Sequence, residues 1–383
     1  MKSKDPFTSC VSTSISDIPR SDWESIFPPI AESYDFFRTL EETSQDQFKT
    51  FYITLREGQR IVCAAPCFVM DYPLDTTVDG FIKSTLNGFE KIIGRKIILR
   101  LLICGCTAAE GRLGTIDSDR QDIGETLLAE MRSLARREGI SLIAFKDFHE
   151  SYNAFFQPLI RLGLHLIPSY PSVALDLPYR SFEEYFATLS KATRKDLRRK
   201  FQKIDKLPPI TVEVVTDISG LLDDIYPLYL NTLQKSDVQF ERLSREFFAR
   251  IPANMPGETR YFLWRLGNKI VAFDLCLTKG NILVDEYIGL DYSIAYDYHL
   301  YYLTFRDIVN WCIQNNIHTY ESGALNYDPK KRLDFRFVPH NIYLKHLNPV
   351  MNIFFGWLGQ IIKPDNFDPT LKALKKAGSI HEE

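Results

Sequence analysis

One β-hairpin occurs twice in this chain, and that repeat constrains the fold more than any other feature. Residues 51–70 and 261–276 each place two runs rich in β-branched and aromatic residues around a short turn with glycine, which is the pattern of a two-stranded hairpin. A chance likeness between two glycine-turn hairpins is the alternative. The matched positions keep one spacing without a gap: Tyr52 with Tyr261, Arg56 with Arg265, Gly58 with Gly267, and Ile61 and Val62 with Ile270 and Val271.

A helix followed by a strand also occurs in both halves. In the first half a helix with a regular apolar face ends at Gly139, and residues 140–145 read as a strand. In the second half a helix ends near Asn316, and a strand covers residues 318–322. The first half carries extra residues, which we expect within 95–117. Two copies of hairpin, strand, helix and strand predict a duplicated α/β domain.

The repeat predicts how the chain is divided. The fold class is α/β (α+β), with each of two domains a mixed, largely antiparallel sheet flanked by helices. The junction falls in a stretch marked by prolines, near residues 170–179. The expected segments are an irregular N-terminal segment over 1–30, an N-terminal domain over 31–175, a C-terminal domain over 176–348, and an amphipathic helix with a tail over 349–383.

Composition excludes several classes of function. With 45% hydrophobic and 25% charged residues, the chain has the make-up of a soluble globular protein. A net charge of −3 is untypical of a protein whose whole surface binds nucleic acid. The first residues lack the apolar core of a secretory signal, and no apolar run is long enough for a membrane helix. We therefore expect a cytoplasmic protein without a membrane span.

The cysteines predict buried, reduced thiols and no metal site. Their number is odd, and their spacings differ from the C-x2-C pairs of zinc sites. A nucleophilic cysteine is the alternative, although no histidine is placed by the pattern to support one. The seven are Cys10, Cys63, Cys67, Cys104, Cys106, Cys276 and Cys312.

The second half contains a strand–loop–helix–strand unit that could bind a phosphorylated ligand. An apolar strand over 282–290 carries two acids, Asp285 and Glu286. A tyrosine-rich loop, a helix and the strand over 318–322 follow. Units of this type bind phosphates at the N-terminus of the helix, where backbone amides are exposed.

Several stretches follow one another in the order of a known family. Residues 175–203 place a strand and a short helix before a basic helix that includes LSKATRKDLRR. Residues 287–303 form a loop into a helix, and residues 327–339 read YDPKKRLDFRFVP. Residues 101–114 look like a strand and glycine loop of the first half. In this order the stretches resemble the GNAT acyltransferase superfamily, and more narrowly its double-GNAT, Fem-like group of peptidoglycan aminoacyltransferases and bacterial acetyltransferase-like proteins.

The resemblance implies a function. It implies two tandem GNAT-like domains, with a degenerate first copy and the active site in the second. The expected activity is that of an N-acyltransferase, which moves an acyl group from acyl-CoA, acetyl-CoA first of all, to an amine of a small molecule or peptide. Two alternatives stay open. One is a Fem-type aminoacyltransferase that uses aminoacyl-tRNA on a cell-wall precursor, and the other is a non-catalytic binding protein with this fold.

The resemblance also implies where the donor binds. The strand backbone and the start of the following helix would contact acyl-CoA, with helix amides cradling its phosphates. A typical GNAT has glycine in this loop, and here residues 293–301 contain none. The expected donor-binding residues are Ile288, Gly289, Leu290, Tyr298, His299, Leu300 and Tyr301.

Three residues are candidates for the proton transfers. Direct attack of an amine on a thioester needs a group that accepts the amine proton. Neighbouring strand residues face opposite sides, so only one of Asp285 and Glu286 can face the cleft, and we prefer Glu286. Glu321 is a second candidate base, and Tyr327 is a candidate hydrogen-bond or proton donor. The alternative is that Asp285 and Glu286 are ordinary acids near a strand end.

A basic helix over 190–206 is the candidate substrate clamp. Arg194 and Arg198 lie one turn apart and suit a phosphate or carboxylate. The clamp could hold CoA phosphates, an anionic acceptor or a tRNA, and the alternative is a solvated helix face. The expected substrate-binding residues are Arg194, Arg198, Asp285, Tyr287 and Lys331.

Overall fold

The computed structural model describes residues 7–44, 47–73, 98–236 and 241–376. The chain divides into two units. Unit 1 contains the residues up to Tyr170 together with those from Pro339 onward, and unit 2 runs from Pro171 to Val338.

Unit 1 is built on an eight-stranded sheet in its described residues. The strand order is β1-β2-β3-β4-β6-β15-β7, with β5 paired to β3. β4 and β6 run parallel, and the other pairs are antiparallel. The strands are β1 (Thr8–Ser12), β2 (Lys49–Glu57), β3 (Arg60–Pro73), β4 (Ile98–Cys104), β5 (Gly114–Thr115), β6 (Leu142–His149), β7 (His165–Pro168) and β15 (His340–His346).

The core of unit 1 lies between its sheet and two helices. The helix α3 buries Ile123, Leu127, Met131 and Leu134, which recur every three or four residues and so form one face. Phe156 of α4 stacks on Tyr343 of β15 with 3.9 Å between ring centroids. The helices of unit 1 are α1 (Arg20–Glu24), α2 (Tyr34–Thr43), α3 (Gln121–Arg137), α4 (Asn153–Arg161), α11 (Pro349–Ile361) and α12 (Pro369–Lys376).

Unit 2 is built on a seven-stranded sheet in its described residues, with the order β14-β8-β13-β12-β11-β10-β9. Only β12 and β13 pair in parallel among these described strands. The strands are β8 (Ser172–Asp176), β9 (Ile210–Val215), β10 (Thr259–Leu266), β11 (Lys269–Lys279), β12 (Ile282–Leu290), β13 (Thr319–Ser322) and β14 (Arg336–Val338).

The helices of unit 2 begin where the sequence provides caps. Ser181 accepts a hydrogen bond from the backbone of Glu184 at the start of α5, as its S-x-x-E pattern predicts. Ser190 does the same for Thr193 at the start of α6. The helices are α5 (Phe182–Thr188), α6 (Lys191–Ile204), α7 (Leu222–Lys235), α8 (Arg245–Asn254), α9 (Leu300–Gln314) and α10 (Tyr327–Arg332).

The predicted duplication is confirmed at the level of backbone detail. The hairpin β2–β3 has a bulge between Leu55 and Arg56, and β10–β11 has its bulge at the matching pair, Trp264 and Arg265. The two hairpin glycines are left-handed, with φ of 61° and 59°. The segments β4–α3–β6 and β12–α9–β13 then each give a parallel strand pair joined through a helix.

The boundaries of the two units differ from the expected domains at three places. The strand β15 pairs with β6 and β7 of unit 1, although residues up to 348 were expected in the second domain. The strand β8 pairs with β13 and β14 of unit 2. Residues 7–30 are not irregular, because β1 pairs with β2 and Trp23 of α1 is fully buried. Each difference arises from pairing between distant parts of the chain, which local sequence patterns do not reveal.

Candidate functional site

Two parallel strands of unit 2 separate in the middle of the sheet. β12 and β13 pair from Ile282 and Thr319 up to Asp285 and Ser322. β12 then continues to Leu290 alongside β11 alone. We call the point where the pairing ends, at Asp285 and Ser322, the fork. Beyond it, one edge of β12 is no longer paired with β13, and an unpaired strand edge is the kind of surface to which an extended ligand can add.

A β-bulge lies immediately beyond the fork. Asp285 pairs with Cys276, but the next pair is Tyr287 with Leu275, so Glu286 is the extra residue. A bulge re-aims the side chains around it. Asp285 and Glu286 therefore need not face opposite sides, and the charges of both raise the pKa of Asp274. The sequence predicts strict alternation here, which the bulge removes.

Two acids lie side by side at the fork. Asp285 accepts hydrogen bonds from the hydroxyls of Tyr320, at 2.8 Å, and Ser322, at 3.2 Å. Asp274 of β11 is only 1% exposed. Burial raises the pKa of Asp274 well above its usual range, and the charge of Asp285 together with a side-chain hydrogen bond to it raises that pKa further. The raised pKa favours the protonated form of Asp274, while its neighbour Asp285 accepts the two hydroxyl hydrogen bonds.

A buried lysine lies near Asp285. Lys330 of α10 is 7% exposed, and its ammonium group donates a 2.6 Å hydrogen bond to the carbonyl of Gly323. Burial lowers the pKa of Lys330 to about 8, and the charge of Asp285 acts in the opposite direction. A group that titrates near neutral pH in this position is characteristic of functional sites.

The sequence singled out the neighbouring lysine instead. Lys331 is exposed, while Lys330 is on the buried face of α10, three residues after the buried Tyr327. Helical spacing from Tyr327 is the signal that could have distinguished the two lysines.

Tyr301 joins the acids from the first turn of α9. Burial raises the pKa of its phenol far above the usual value, and the charges of Asp285, Tyr302 and Asp274 raise it further. Tyr301 therefore stays protonated and can act as a hydrogen-bond donor. The fork thus brings together two carboxyl groups, one lysine and one phenol.

The other candidate acid and base residues lie apart from this cluster. Glu321 is between Tyr320 and Ser322 on β13, and these two face Asp285, so strand alternation directs Glu321 to the opposite face. Tyr327 is 1% exposed, and its hydroxyl donates a 2.8 Å hydrogen bond to the carbonyl of Pro171. The position of Tyr327 fits a structural anchor between α10 and the start of unit 2.

Two backbone amides at the start of α9 donate hydrogen bonds within the loop that precedes the helix. The amide of Tyr298 donates to the carbonyl of Ile294, and that of Leu300 donates to Ala295, both at 3.0 Å. Two of the four amides expected to cradle phosphates are therefore engaged within the loop. His299 takes a left-handed backbone conformation with φ of 46°.

The strand residues expected to bind the donor have different local roles. Gly289 has no space for a side chain, since an added Cβ would lie 2.2 Å from the ring of Phe273 and 2.7 Å from the backbone of Leu228 in α7. The amide of Leu290 donates a 3.2 Å hydrogen bond to the hydroxyl of Thr232 in α7. Ile288 pairs with Asp274 across β11 and β12. Glycine here permits α7 to approach the strand closely.

The two arginines expected to clamp the substrate on α6 already contact other groups of the protein. The guanidinium of Arg194 donates to the carbonyls of Ala187 and Leu189 and so closes the end of α5. Arg198 lies over the ring of Phe186 at 5.2 Å, in an open groove that also contains Glu183. This acid makes the groove less suited to an anion.

Other cations of α6 approach the start of α9. Lys200 lies 4.2 Å from the ring of Tyr302, and Lys203 forms a 3.3 Å ion pair with Asp297. Burial lowers the pKa of His299, and the charges of Lys203 and Lys200 lower it further. The positive charge near the α9 N-terminus therefore comes from Lys200 and Lys203, which sequence reasoning did not single out.

Tyr287, which was expected to bind substrate, is packed among aromatic side chains of unit 2. Its hydroxyl donates a 2.9 Å hydrogen bond to Glu241, and its ring packs against Tyr229, Phe247 and Phe248. Burial raises the pKa of this phenol well above its usual value, and the charge of Glu241 raises it further.

The cysteines are free thiols, and all except Cys10 are buried. Burial raises the pKa of Cys63, Cys104, Cys276 and Cys312 above the usual value, which makes these thiols poor nucleophiles. Within the described residues, no group of three or more histidine, cysteine or acidic side chains is placed to hold a metal ion. The described helices include none with both the length and the apolar character needed to cross a membrane.

Comparison with known proteins shows which families and folds this chain is similar to. Residues 191–331, which lie in unit 2 and include the fork, match the acetyltransferase (GNAT) domain family. FemX has the same fold across 91% of this chain and 100% of its own, with a TM-score of 0.58 and 12% identity. A tandem GNAT protein from the clavulanic acid biosynthesis pathway covers 90% of this chain and 99% of its own, with a TM-score of 0.52 and 12% identity. The fold is therefore that of two tandem GNAT-like domains.

The sequence match to the GNAT family is confined to residues 191–331. A curated relative, the putative 8-amino-7-oxononanoate synthase 2 of Mycobacterium tuberculosis, is 25% identical over 331 residues. The match covers 83% of this chain but only 42% of that protein. The chain thus spans less than half the length of the curated relative that it matches.

Proposed function

We propose that this chain is an N-acyltransferase that moves an acyl group from acyl-CoA, in the first instance acetyl-CoA, to an amine. The observation that carries the proposal is the fork between β12 and β13, with the bulge at Glu286 and the ionisable cluster around Asp285. The match of residues 191–331 to the GNAT acetyltransferase domain supports it. The active site lies in unit 2, and unit 1 is the degenerate copy.

The open edge of β12 is the proposed binding surface for the donor. An extended pantetheine arm can pair with backbone groups of β12 between the fork and Leu290, whose own amide already donates to Thr232, as a peptide pairs with an exposed strand edge. The donor phosphates then lie toward the start of α9, where His299 and Tyr301 join Lys200 and Lys203 of α6. Because the amides of Tyr298 and Leu300 are engaged in the loop, the lysines supply more of the phosphate attraction than the backbone does.

The chemistry is a direct attack of the amine nitrogen on the thioester carbonyl. A C–N bond forms, the C–S bond breaks, and the sulfur leaves as the CoA thiolate. The attacking nitrogen loses a proton, which we assign to Glu286 because the bulge places it beside the open edge of β12. Tyr301 stays protonated and can donate a hydrogen bond to the oxyanion or to the leaving sulfur.

Donor binding and turnover test the proposal separately. A panel of acyl-CoAs should raise the melting temperature, because a ligand that binds the native state stabilises it by mass action. Glu286→Gln should lower kcat by about 100-fold or more, with donor affinity changed by less than about threefold. The matched control is Glu246→Gln, which removes an exposed acid paired with Arg250 on α8. No stabilisation by any acyl-CoA would contradict the proposal.

One observation favours a different donor, an aminoacyl-tRNA used on a cell-wall precursor. The loop before α9 lacks glycine and uses two of its amides internally, while Arg199 of α6 is 80% exposed. Under this alternative, aminoacyl-tRNA binds in a salt-sensitive manner, and Arg199→Glu weakens it by about tenfold or more. Stabilisation by acyl-CoA without tRNA binding would exclude the alternative.

A further inference from the structure

The helix α6 carries a row of exposed basic side chains on its outer side. Lys191, Lys195, Arg199 and Lys206 are all exposed, and their spacing of four, four and seven residues keeps them on one side of a helix. At about 1.5 Å per residue, the row extends for about 22 Å. We call these four residues the basic stripe.

The charges of the basic stripe are only partly neutralised. Residues 191–206 contain eight lysines and arginines but two aspartates, in a chain whose net charge is −3. Asp196 pairs with Arg199. Within the described residues, three cations of the stripe form no ion pair, and these are Lys191, Lys195 and Lys206. The stripe therefore offers positive charge to an anionic partner, which electrostatic complementarity favours.

The opposite side of α6 is packed into unit 2. Leu197 and Ile204 are buried, and the ring of Phe201 lies 5.1 Å from the guanidinium of Arg306 on α9. Because the helix is anchored along its length, the charges of the stripe keep a fixed arrangement. A partner thus binds a preformed surface, which lowers the entropy cost of association.

The basic stripe leads to the start of α9. Lys203 lies one helical turn after Arg199 and forms its ion pair with Asp297 in the loop before α9. The end of the stripe is therefore next to the proposed position of the donor phosphates. Arg198 is not part of the stripe, because it lies in the groove that contains Glu183.

The start of α9 offers few groups to a donor with several phosphates. The loop before it contains no glycine over 293–301, and the amides of Tyr298 and Leu300 are engaged. Free CoA brings a pyrophosphate and a further phosphate on its adenosine. A phosphopantetheine arm that is attached to a carrier protein brings the same thioester with a single phosphodiester. Lys200 and Lys203 match this single phosphate better than the larger set.

We propose that the basic stripe docks an acidic acyl carrier protein, which delivers the acyl group on its phosphopantetheine arm. The proposal rests on the proposed function, because the arm lies along the same open edge of β12 and ends in the same thioester. The amine nitrogen forms a bond to the acyl carbon, the C–S bond breaks, and the arm keeps the sulfur as a thiolate. Glu286 accepts the amine proton, as it does with acyl-CoA. The acidic surface of the carrier complements the stripe.

An RNA is a poorer occupant of the basic stripe. Surfaces that bind single-stranded nucleic acid combine basic side chains with aromatic rings on which the bases stack. The aromatic residue of α6, Phe201, packs against Arg306, and the exposed neighbours of the stripe include Ala192 and Gln202. An aminoacyl-tRNA also lacks a pantetheine arm for the open edge of β12.

Binding to the full chain tests the proposal without knowledge of the acceptor. A bacterial acyl carrier protein is prepared with an acetylated arm and without the arm, and isothermal titration calorimetry measures the dissociation constant of each form. We expect the acetylated form to bind, the form without the arm to bind at least about tenfold more weakly, and acetyl-CoA to compete with the arm. Added salt should weaken the binding, because exposed charges are screened.

A charge-reversal variant locates the binding surface. Lys191→Glu combined with Lys195→Glu should weaken binding of the acetylated carrier about tenfold or more, and should weaken acetyl-CoA binding by much less. The matched control is Lys372→Glu combined with Lys376→Glu, which has the same spacing and charge change at exposed positions of α12. This control should leave both affinities unchanged. Thermal unfolding checks that both variants fold.

The possible outcomes distinguish the carrier proposal from the proposed function. Absence of carrier binding, equal binding with and without the arm, or equal effects of the two double variants would overturn the carrier proposal. If acetyl-CoA still stabilises the chain in that case, the proposed function stands, whereas loss of both ligands would contradict both. RNA binding that the stripe variant abolishes, without carrier binding, would overturn the carrier proposal in favour of a nucleic-acid partner.

Discussion

Tyr320 donates a 2.8 Å hydrogen bond to the carboxylate of Asp285 across the last paired residues of two parallel strands. Both residues lie where β13 ends and β12 continues alone. The bond therefore connects the point where the strands separate to the acid cluster of the proposed active site. We expect its loss to lower the free energy of unfolding of unit 2.

Tyr320→Phe should destabilise the chain by about 1–3 kcal/mol, because the part-buried carboxyl group of Asp285 loses one of its two hydroxyl partners. Urea unfolding measures the change. Tyr226→Phe is the control, since that hydroxyl donates to the neutral carbonyl of Leu243, and a loss of about 1 kcal/mol or less is expected there. Equal effects of the two substitutions would contradict the larger contribution expected of the Tyr320–Asp285 hydrogen bond.

Asp274→Asn should become more stable relative to wild type as pH rises. The folded-state pKa of Asp274 is raised, so above the unfolded pKa of about 3.9 the unfolded chain releases a proton that the folded chain retains. Wild-type stability is reduced by up to about 1.4 kcal/mol for each pH unit in this window, and the asparagine variant escapes that loss. Urea unfolding of both proteins between about pH 5 and pH 7 measures the difference. A difference that stays constant with pH, as expected for Asp224→Asn at an exposed position, would refute the assignment.

Lys330→Met should remove a pH dependence at alkaline pH. The folded-state pKa of Lys330 is lowered from 10.5 to about 8, so between these values the unfolded chain binds more protons than the folded chain. Wild-type stability should therefore rise through this window relative to the methionine variant, by at most about 1.4 kcal/mol per pH unit. Lys331→Met, at the exposed neighbouring position, should show no such difference. Identical behaviour of the two variants would mean that Lys330 is not the perturbed group.

Gly289→Ala should destabilise unit 2 by about 1–3 kcal/mol, because the new methyl group overlaps the ring of Phe273 and the backbone of α7. Chemical unfolding measures this. Gly257→Ala is the matched control, since an added Cβ there meets no atom within 4 Å. If both substitutions had the same effect on stability, the close packing of α7 against β12 would be contradicted.

Local patterns in the sequence were sufficient to find the duplicated fold. The hairpin signal around Gly58 and Gly267 lies within a few residues, so a turn and two flanking strands are visible without tertiary information. The strand β15 was assigned to the wrong side of the junction because its partners, β6 and β7, are far away in the sequence. Because β15 directly follows β14 in the chain, the sequence pattern assigned both strands to the same domain.

The candidate site was predicted in place but not in detail. The acids on β12 and the helix start were visible as a strand–loop–helix pattern. The bulge at Glu286 depends on the register with β11, and the sequence alone does not fix that register. Asp274 was overlooked because it lies within an apolar strand whose burial becomes clear only in the assembled sheet. Arg194 was predicted to bind an anion, but its guanidinium donates hydrogen bonds to the carbonyls at the end of α5.

Hydrogen–deuterium exchange with and without saturating acetyl-CoA tests the central claim most directly. If the donor lies along the open edge of β12 with its phosphates toward α9, the amides of residues 286–290 and those at the start of α9 should exchange about tenfold or more slowly in its presence. The equivalent segments of unit 1, β4 and the start of α3, should not change. Unchanged exchange at β12, or protection confined to unit 1, would contradict the proposed site.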